Sequence, residues 1–267
     1  MVKKFYILLF LTILCGCGKV PTAEPNQPFD HFIGDFETGN LNQFHFLVLD
    51  TSINTKIITN PVRKGNFALK NTLQPDDYIN NGYRTELAIY NCAKYKSEVF
   101  YAFSFMIDTN YSSNQEFNLI CQWQDLPYYL QGENWDPDPT LRGSTPPVAL
   151  VYVYGAIELK MNENPSSNNQ SFLVGNTLPI AKGQWYDVVS HIYWNDDNTA
   201  FIELSMNGNF ITPFNGIDYK YYKRNLFNRA GNYFKFGQYK GKDKPSSTTI
   251  IYFDEIKIGS SYNEIAP

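Results

Sequence analysis

Apolar and polar positions alternate with a period of two along much of the chain, and no long run repeats at helical spacing. Successive side chains on a strand point to opposite faces. Over Tyr233–Tyr239 this parity puts Tyr233, Lys235, Gly237 and Tyr239 on one face, and Phe234 and Phe236 on the other. Over Tyr83–Tyr90 it puts Arg84, Glu86 and Ala88 together, opposite Thr85, Leu87 and Ile89. Phe117–Gln124 repeats the arrangement, with Gln122 and Gln124 opposite Cys121 and Trp123. Each strand therefore has one face for a core and a second, polar face free for chemistry.

Further strands are expected around these three. Val99–Ile107 is apolar and aromatic, and Val148–Met161 reads as two strands or one interrupted strand carrying Lys160. Trp185–Trp194 and Ala200–Met206 read as a hairpin about Asn195–Asn198, followed by a turn at Asn207–Gly208. Lys64–Lys70 is a turn entering a strand, Gly34–Asn40 a strand start and turn, and Ile250–Ile258 a clean alternating strand. Between Asp125 and Pro147 there is no period but much Pro, Gly and Asp, which fits a functional loop or a disordered insertion. Tyr128, Tyr129 and Trp135 in that stretch are candidates for stacking on sugar rings. No internal repeat, coiled coil or phosphate loop is visible.

Composition narrows the function. The chain has 267 residues, enough for one large all-β unit, and its 16% aromatic content includes 20 Tyr and 20 Phe. Its formal charge is −4, which argues against a nucleic-acid partner; a polyanion would need positive charge focused locally. Lys3-Lys4, the apolar run Phe5–Leu14 and then Leu14-Cys15-Gly16-Cys17 resemble a bacterial lipoprotein signal. That resemblance implies a signal peptide over 1–16, lipidation of Cys17, a Pro-containing tether over 17–28 and a folded unit over 29–267. It also implies an exported protein anchored to a membrane through its lipid alone, in the periplasm or at the cell surface. Cys92 and Cys121 then remain as a disulfide or as two separate buried thiols, and neither has metal-ligand spacing.

Arg84-Thr-Glu-Leu87, Gln122-Trp-Gln124 and Tyr233-Phe-Lys-Phe-Gly-Gln-Tyr239 occur in the order and kind seen in jelly-roll polysaccharide lyases. They resemble the motifs of the alginate lyase family 7 and glucuronan lyase group, and look still more like those of the heparin lyase I group. Trp185–Trp194 and Asn207-Gly208 extend the likeness over most of residues 30–260. The resemblance implies an all-β, concanavalin-like jelly-roll sandwich of two antiparallel sheets with a concave substrate cleft. The implied activity is β-elimination on an anionic, uronic-acid-containing polysaccharide, by a monomer needing no cofactor for the chemistry.

Residue by residue, the resemblance makes Tyr239 the proton carrier at the leaving oxygen. Arg84, Gln122 and Gln124 would hold the uronate carboxylate, with Lys235 as electrostatic support. Glu86 would fix Arg84, and Tyr233, Lys160, His191 and Trp135 would contribute to substrate binding. In related jelly rolls an acidic residue near each chain end helps hold a structural calcium; Glu37 and Asp254 match those positions, or are simply exposed strand-end carboxylates. One departure stands out. The relatives end the middle motif in histidine, whereas this chain has Gln124, which cannot act as a base. That substitution supports the alternative of a catalytically inactive glycan-binding lipoprotein on the same fold.

Overall fold

The computed structural model describes residues 31–44, 46–48, 54–90, 92–111, 117–127, 132, 146–162, 171–216, 218–228 and 230–267. The leader, Cys17, the tether, Tyr128, Tyr129 and Trp135 lie outside them.

In chain order the strands begin with β1 (Phe32–Gly34), β2 (Phe46–Val48), β3 (Thr55–Ile58), β4 (Ala68–Leu73), β5 (Tyr78–Ile79) and β6 (Gly82–Ile89). They continue with β7 (Ser97–Ile107), β8 (Asn118–Asp125), β9 (Val148–Val153), β10 (Ala156–Met161), β11 (Phe172–Leu173) and β12 (Leu178–Pro179). The last are β13 (Trp185–Trp194), β14 (Phe201–Met206), β15 (Asn209–Phe210), β16 (Tyr221–Tyr222), β17 (Asn232–Tyr239) and β18 (Thr249–Gly259), followed by the short helix α1 (Tyr262–Ile265).

They form two antiparallel sheets. One has the order β15-β14-β13-β7-β18-β4-β3, with β1 on β18 and β16 on β14. The other has the order β11-β10-β9-β8-β17-β6-β2, with β12 on β10 and β5 on β6. The interrupted strand resolves into β9 and β10 through Tyr154-Gly155, both at positive φ, a backbone that suits a two-residue hairpin. The hairpin β13–β14 forms where alternation placed it, with His191 opposite Glu203.

The core lies between the sheets and is strongly aromatic. Phe234 packs on Phe103 at 6.0 Å, Phe236 on Phe253 at 5.3 Å and Trp123 on Tyr101 at 5.3 Å. Such ring pairs contribute roughly 0.5–1.5 kcal/mol each beyond the area they bury. They anchor β17 and β8 from beneath, so the polar face of each strand is held outward. Cys92 and Cys121 are free, buried thiols; Cys92 donates to Ile89 O at 3.3 Å and accepts the Phe234 N–H at 3.1 Å. Burial pushes the Cys92 thiol up to about 12, which keeps it protonated and unreactive.

Candidate active site

Strand β17 runs between β6 and β8, and the registers decide which side chains meet. Tyr239 lies opposite Arg84, Gly237 opposite Glu86 and Lys235 opposite Ala88 on β6. On β8, Lys235 lies opposite Gln122 and Tyr233 opposite Gln124. Arg84, Glu86, Gln122, Gln124, Tyr233, Lys235 and Tyr239 thus share the face turned away from the core.

Gly237 makes this close pairing possible. Its φ is +135°, and a Cβ there would lie 2.2 Å from Thr85 O. Gly82 does the same for Tyr239, because a Cβ would come within 2.5 Å of the ring carbon Cε2 and 2.8 Å of Gly241 O. Gly82 follows Asn80 and Asn81, both at positive φ, in the tight turn from β5 into β6. That turn also supplies Asn80 O, which accepts from Arg84 Nη2 at 3.3 Å.

Glu86 is the electrostatic centre of the group. Its carboxylate is buried and receives Arg84 Nη1 at 3.4 Å, Lys235 Nζ at 3.7 Å and the Gln122 amide. Two cations around one carboxylate leave the cluster with a net positive charge, the local focus a polyanion needs in an acidic chain. Burial lowers the Lys235 ammonium below its ordinary value, against the pull of Glu86. Arg84 places its Cζ 3.9 Å from the centroid of the Tyr239 ring, and its buried Nε has no hydrogen-bond partner. Tyr233 stacks on Tyr90 at 4.9 Å. Burial raises the Tyr233 phenol well above its ordinary value and Tyr90 to about 12, so both stay protonated and can donate but not take a proton.

The remaining expected residues are placed differently. Lys160 is on this sheet, opposite Ala149, which is opposite Gln122, and it pairs with Glu158 at 3.1 Å. His191 does not join the group: it is on β13 of the other sheet, stacked on Phe100 at 4.0 Å and bonded to Glu98 at 2.5 Å. Alternation predicted its strand but could not show which sheet that strand enters. Trp135 lies outside the described residues.

The calcium expectation does not fit the donors present. Glu37 Oε1 accepts the Asn66 and Phe67 amides at 2.8 and 3.0 Å, and Asp254 Oδ2 accepts those of Arg63 and Lys64 at 2.9 and 3.3 Å. Both carboxylates are turned on N–H groups of one turn, whereas calcium needs several oxygen ligands. Among the described residues no group of three or more His, Cys, Asp or Glu could hold a metal ion.

Sequence reasoning passed over Asn118 and Gln238. Both are buried polar residues beside the site, Gln238 on the inward face of β17 next to Tyr239. Gln238 carried a signal, an amide at a position where alternation calls for an apolar side chain; Asn118 carried none, because it has the parity of Gln122 and Gln124 and only the bulge between Leu119 and Cys121 turns it inward.

Comparison with known proteins bears on family and fold. The family profile described as polysaccharide lyase matches residues 36–257. No curated protein matches the chain by sequence. Among solved structures, an endo-β-1,4-glucuronan lyase from the fungus Trichoderma reesei superimposes with a TM-score of 0.68 at 18% identity, covering 88% of this chain and 97% of the other. Alginate lyase Aly36B gives 0.55 at 11% identity over 88% and 93%. Alginate lyase A1-II′, of polysaccharide lyase family 7, gives 0.53 at 14% over 79% and 85%. Likeness this remote speaks for the fold: an all-β jelly-roll sandwich of two antiparallel sheets.

Proposed function

Because this chain belongs to the polysaccharide lyase family, we propose that it cleaves a uronic-acid-containing polysaccharide by β-elimination, with Tyr239 as the proton carrier. The observation that carries the reading is the stacking of Arg84 on Tyr239 beside the Glu86–Lys235–Gln122 cluster.

The chemistry runs as follows. The C5–H bond of the uronate breaks, its electrons form the C4=C5 double bond, and the C4–O bond breaks with its electrons leaving on oxygen, which takes up a proton. The C5 proton is barely acidic until the neighbouring carboxylate is neutralised, and Arg84, Gln122 and Gln124, with the Lys235 ammonium as electrostatic support, are the groups suited to that task. In this scheme Tyr239 enters the step as the phenolate, its own proton already released to solvent, takes the C5 proton and returns it to the leaving oxygen, so no histidine is needed at position 124. The guanidinium over the ring stabilises negative charge on the phenol oxygen as it develops. Tyr233 and Tyr90, held protonated, serve as hydrogen-bond donors and a stacking surface.

Glucuronate- or iduronate-containing polymers come before alginate as substrates, a preference supported by the likeness to a glucuronan lyase fold. The test is to incubate the purified protein with glucuronan, ulvan, heparin and alginate and follow ultraviolet absorbance from the new double bond. Tyr239→Phe is expected to lose turnover and keep most of its affinity. Binding without absorbance on every polymer would favour the inactive glycan-binding alternative, to which Gln124 points.

Export as a lipoprotein is a second element of the proposal, supported by Lys3-Lys4, the apolar run and Cys17. Labelled palmitate should enter the wild-type chain and not Cys17→Ala.

A further inference from the structure

Beneath Tyr239 the two sheets are joined by amides instead of apolar contact. Gln238 Nε2 donates to Asn71 O at 3.1 Å on β4 and to Thr249 O at 3.2 Å on β18. Its Oε1 accepts from Thr249 Oγ1 at 2.7 Å and from Asn118 Nδ2 at 3.0 Å. Asn118 also donates to Tyr111 Oη at 2.8 Å, and its Oδ1 accepts the backbone N–H of Tyr239 at 3.1 Å. Asn71 Nδ2 in turn reaches Thr85 O at 3.2 Å, on the strand that carries Arg84. The Gln238 amide has used its full donor and acceptor capacity. A buried network satisfied in this way is stiff, since each member holds the next.

The position of the network is informative. Pairing between β17 and β8 shifts register between Phe236 and Tyr239, and a bulge of this kind interrupts the ladder of backbone hydrogen bonds. The Tyr239 N–H goes to the Asn118 side chain instead of a carbonyl on the neighbouring strand. The residue whose ring stacks on Arg84 therefore keeps its ladder with β6 but sits at a break in the ladder with β8, and on that side a side-chain network takes over.

We infer that Asn118 and Gln238 are positioning residues for Tyr239: they fix the bulged backbone and so set where its phenol oxygen meets the sugar. Both are completely buried and Gln238 faces the core, so they act through Tyr239 and not by touching substrate. The inference rests on the proposed role of Tyr239. A displacement of about 1 Å at a reacting group can cost on the order of 10²-fold in rate.

The test uses whichever of the four polymers the full-length wild-type protein cleaves, with kcat, KM and the pH dependence of kcat measured for Asn118→Ala, Gln238→Met and Tyr239→Phe. Leu204→Ala, a core truncation on β14 of the other sheet, is the control for lost stability. The two network variants are expected to lose roughly 10- to 100-fold in kcat, to hold KM within about twofold and to shift the pH profile, while the control changes kcat only by its unfolded fraction. Gln238→Met keeps the side-chain length and carries the test if Asn118→Ala does not fold. A kcat loss no larger than the control's, or a loss confined to KM, overturns the inference. If Tyr239→Phe loses turnover while both network variants retain kcat, the inference alone falls. If Tyr239→Phe turns over normally, or no polymer is cleaved, the reading of Tyr239 and the inference fall together.

Discussion

The guanidinium of Arg84 lies over the ring of Tyr239, 3.9 Å from its centroid, while its Nη1 is held by Glu86 at 3.4 Å. One side chain thus touches both the proton carrier and the carboxylate that organises the cations. Guanidinium geometry allows this because its flat face can stack while its edge donates.

Lysine should not replace it. Arg84→Lys keeps the charge but loses the stacking plane and the forked guanidinium donors, so kcat is expected to fall on the order of 10²-fold. Steady-state kinetics on the cleaved polymer check this, and a lysine variant with wild-type kcat would remove Arg84 from the mechanism.

Gly82 offers a test of ring placement that removes no polar group, although an added Cβ would also press on Gly241 O at 2.8 Å. A Cβ at Gly82 would occupy space within 2.5 Å of Tyr239 Cε2. Gly82→Ala is expected to lower kcat about 10-fold or more while KM changes little. A rise in KM alone would show that the Tyr239 ring serves binding instead of chemistry.

Glu86→Gln keeps an oxygen for the Gln122 amide but removes the countercharge of Arg84 and Lys235. Breaking a buried ion pair by removing one partner costs on the order of 3 kcal/mol. A drop in melting temperature is therefore expected together with lost activity, and a variant as stable as the parent would contradict the central role given to this carboxylate.

Asp254 gives a pH dependence with a definite sign. Burial raises its carboxyl to about 6 from an ordinary 3.8, against hydrogen bonds from the Arg63, Lys64 and Glu255 amides. Between these values the native state binds more protons than the unfolded one, so the contribution of Asp254 to stability is full below pH 3.8 and is lost as pH rises through about 6. Melting curves of wild type and Asp254→Asn from pH 4 to 7.5 should therefore show the balance moving toward asparagine with rising pH. A gap that stays constant, or moves the other way, contradicts the raised value.

Much of the site's strand structure was legible because it depends on parity. Arg84 with Glu86, Gln122 with Gln124, and Lys235 with Tyr239 could be grouped strand by strand, and the aromatic residues beneath them belong to the opposite parity. What parity cannot carry is the order of strands in a sheet. His191 alternates correctly on β13, yet that strand lies beside β7 in the other sheet. Bulges were also hidden. Between Leu119 and Cys121 the pairing of β8 with β9 shifts, so Ile120 and Cys121 both join the core. Glu37 and Asp254 were recognisable as a pair of carboxylates near the chain ends. Their actual partners, the amides of residues 63–67, are backbone groups that no sequence motif records.

The place of β18 bears on how the protein is made. This strand, Thr249–Gly259, lies inside its sheet, with β7 along one edge and β4 and β1 along the other. Until it docks, β7 and β4 have no strand between them, and the aromatic layer under β17 lacks Phe253. Before that strand docks, the chain holds unpaired strand edges and open aromatic surface. Long-range pairing of this kind is slow and exposed to aggregation. Assembly should occur as a late, concerted closure, with the final strand as its latch.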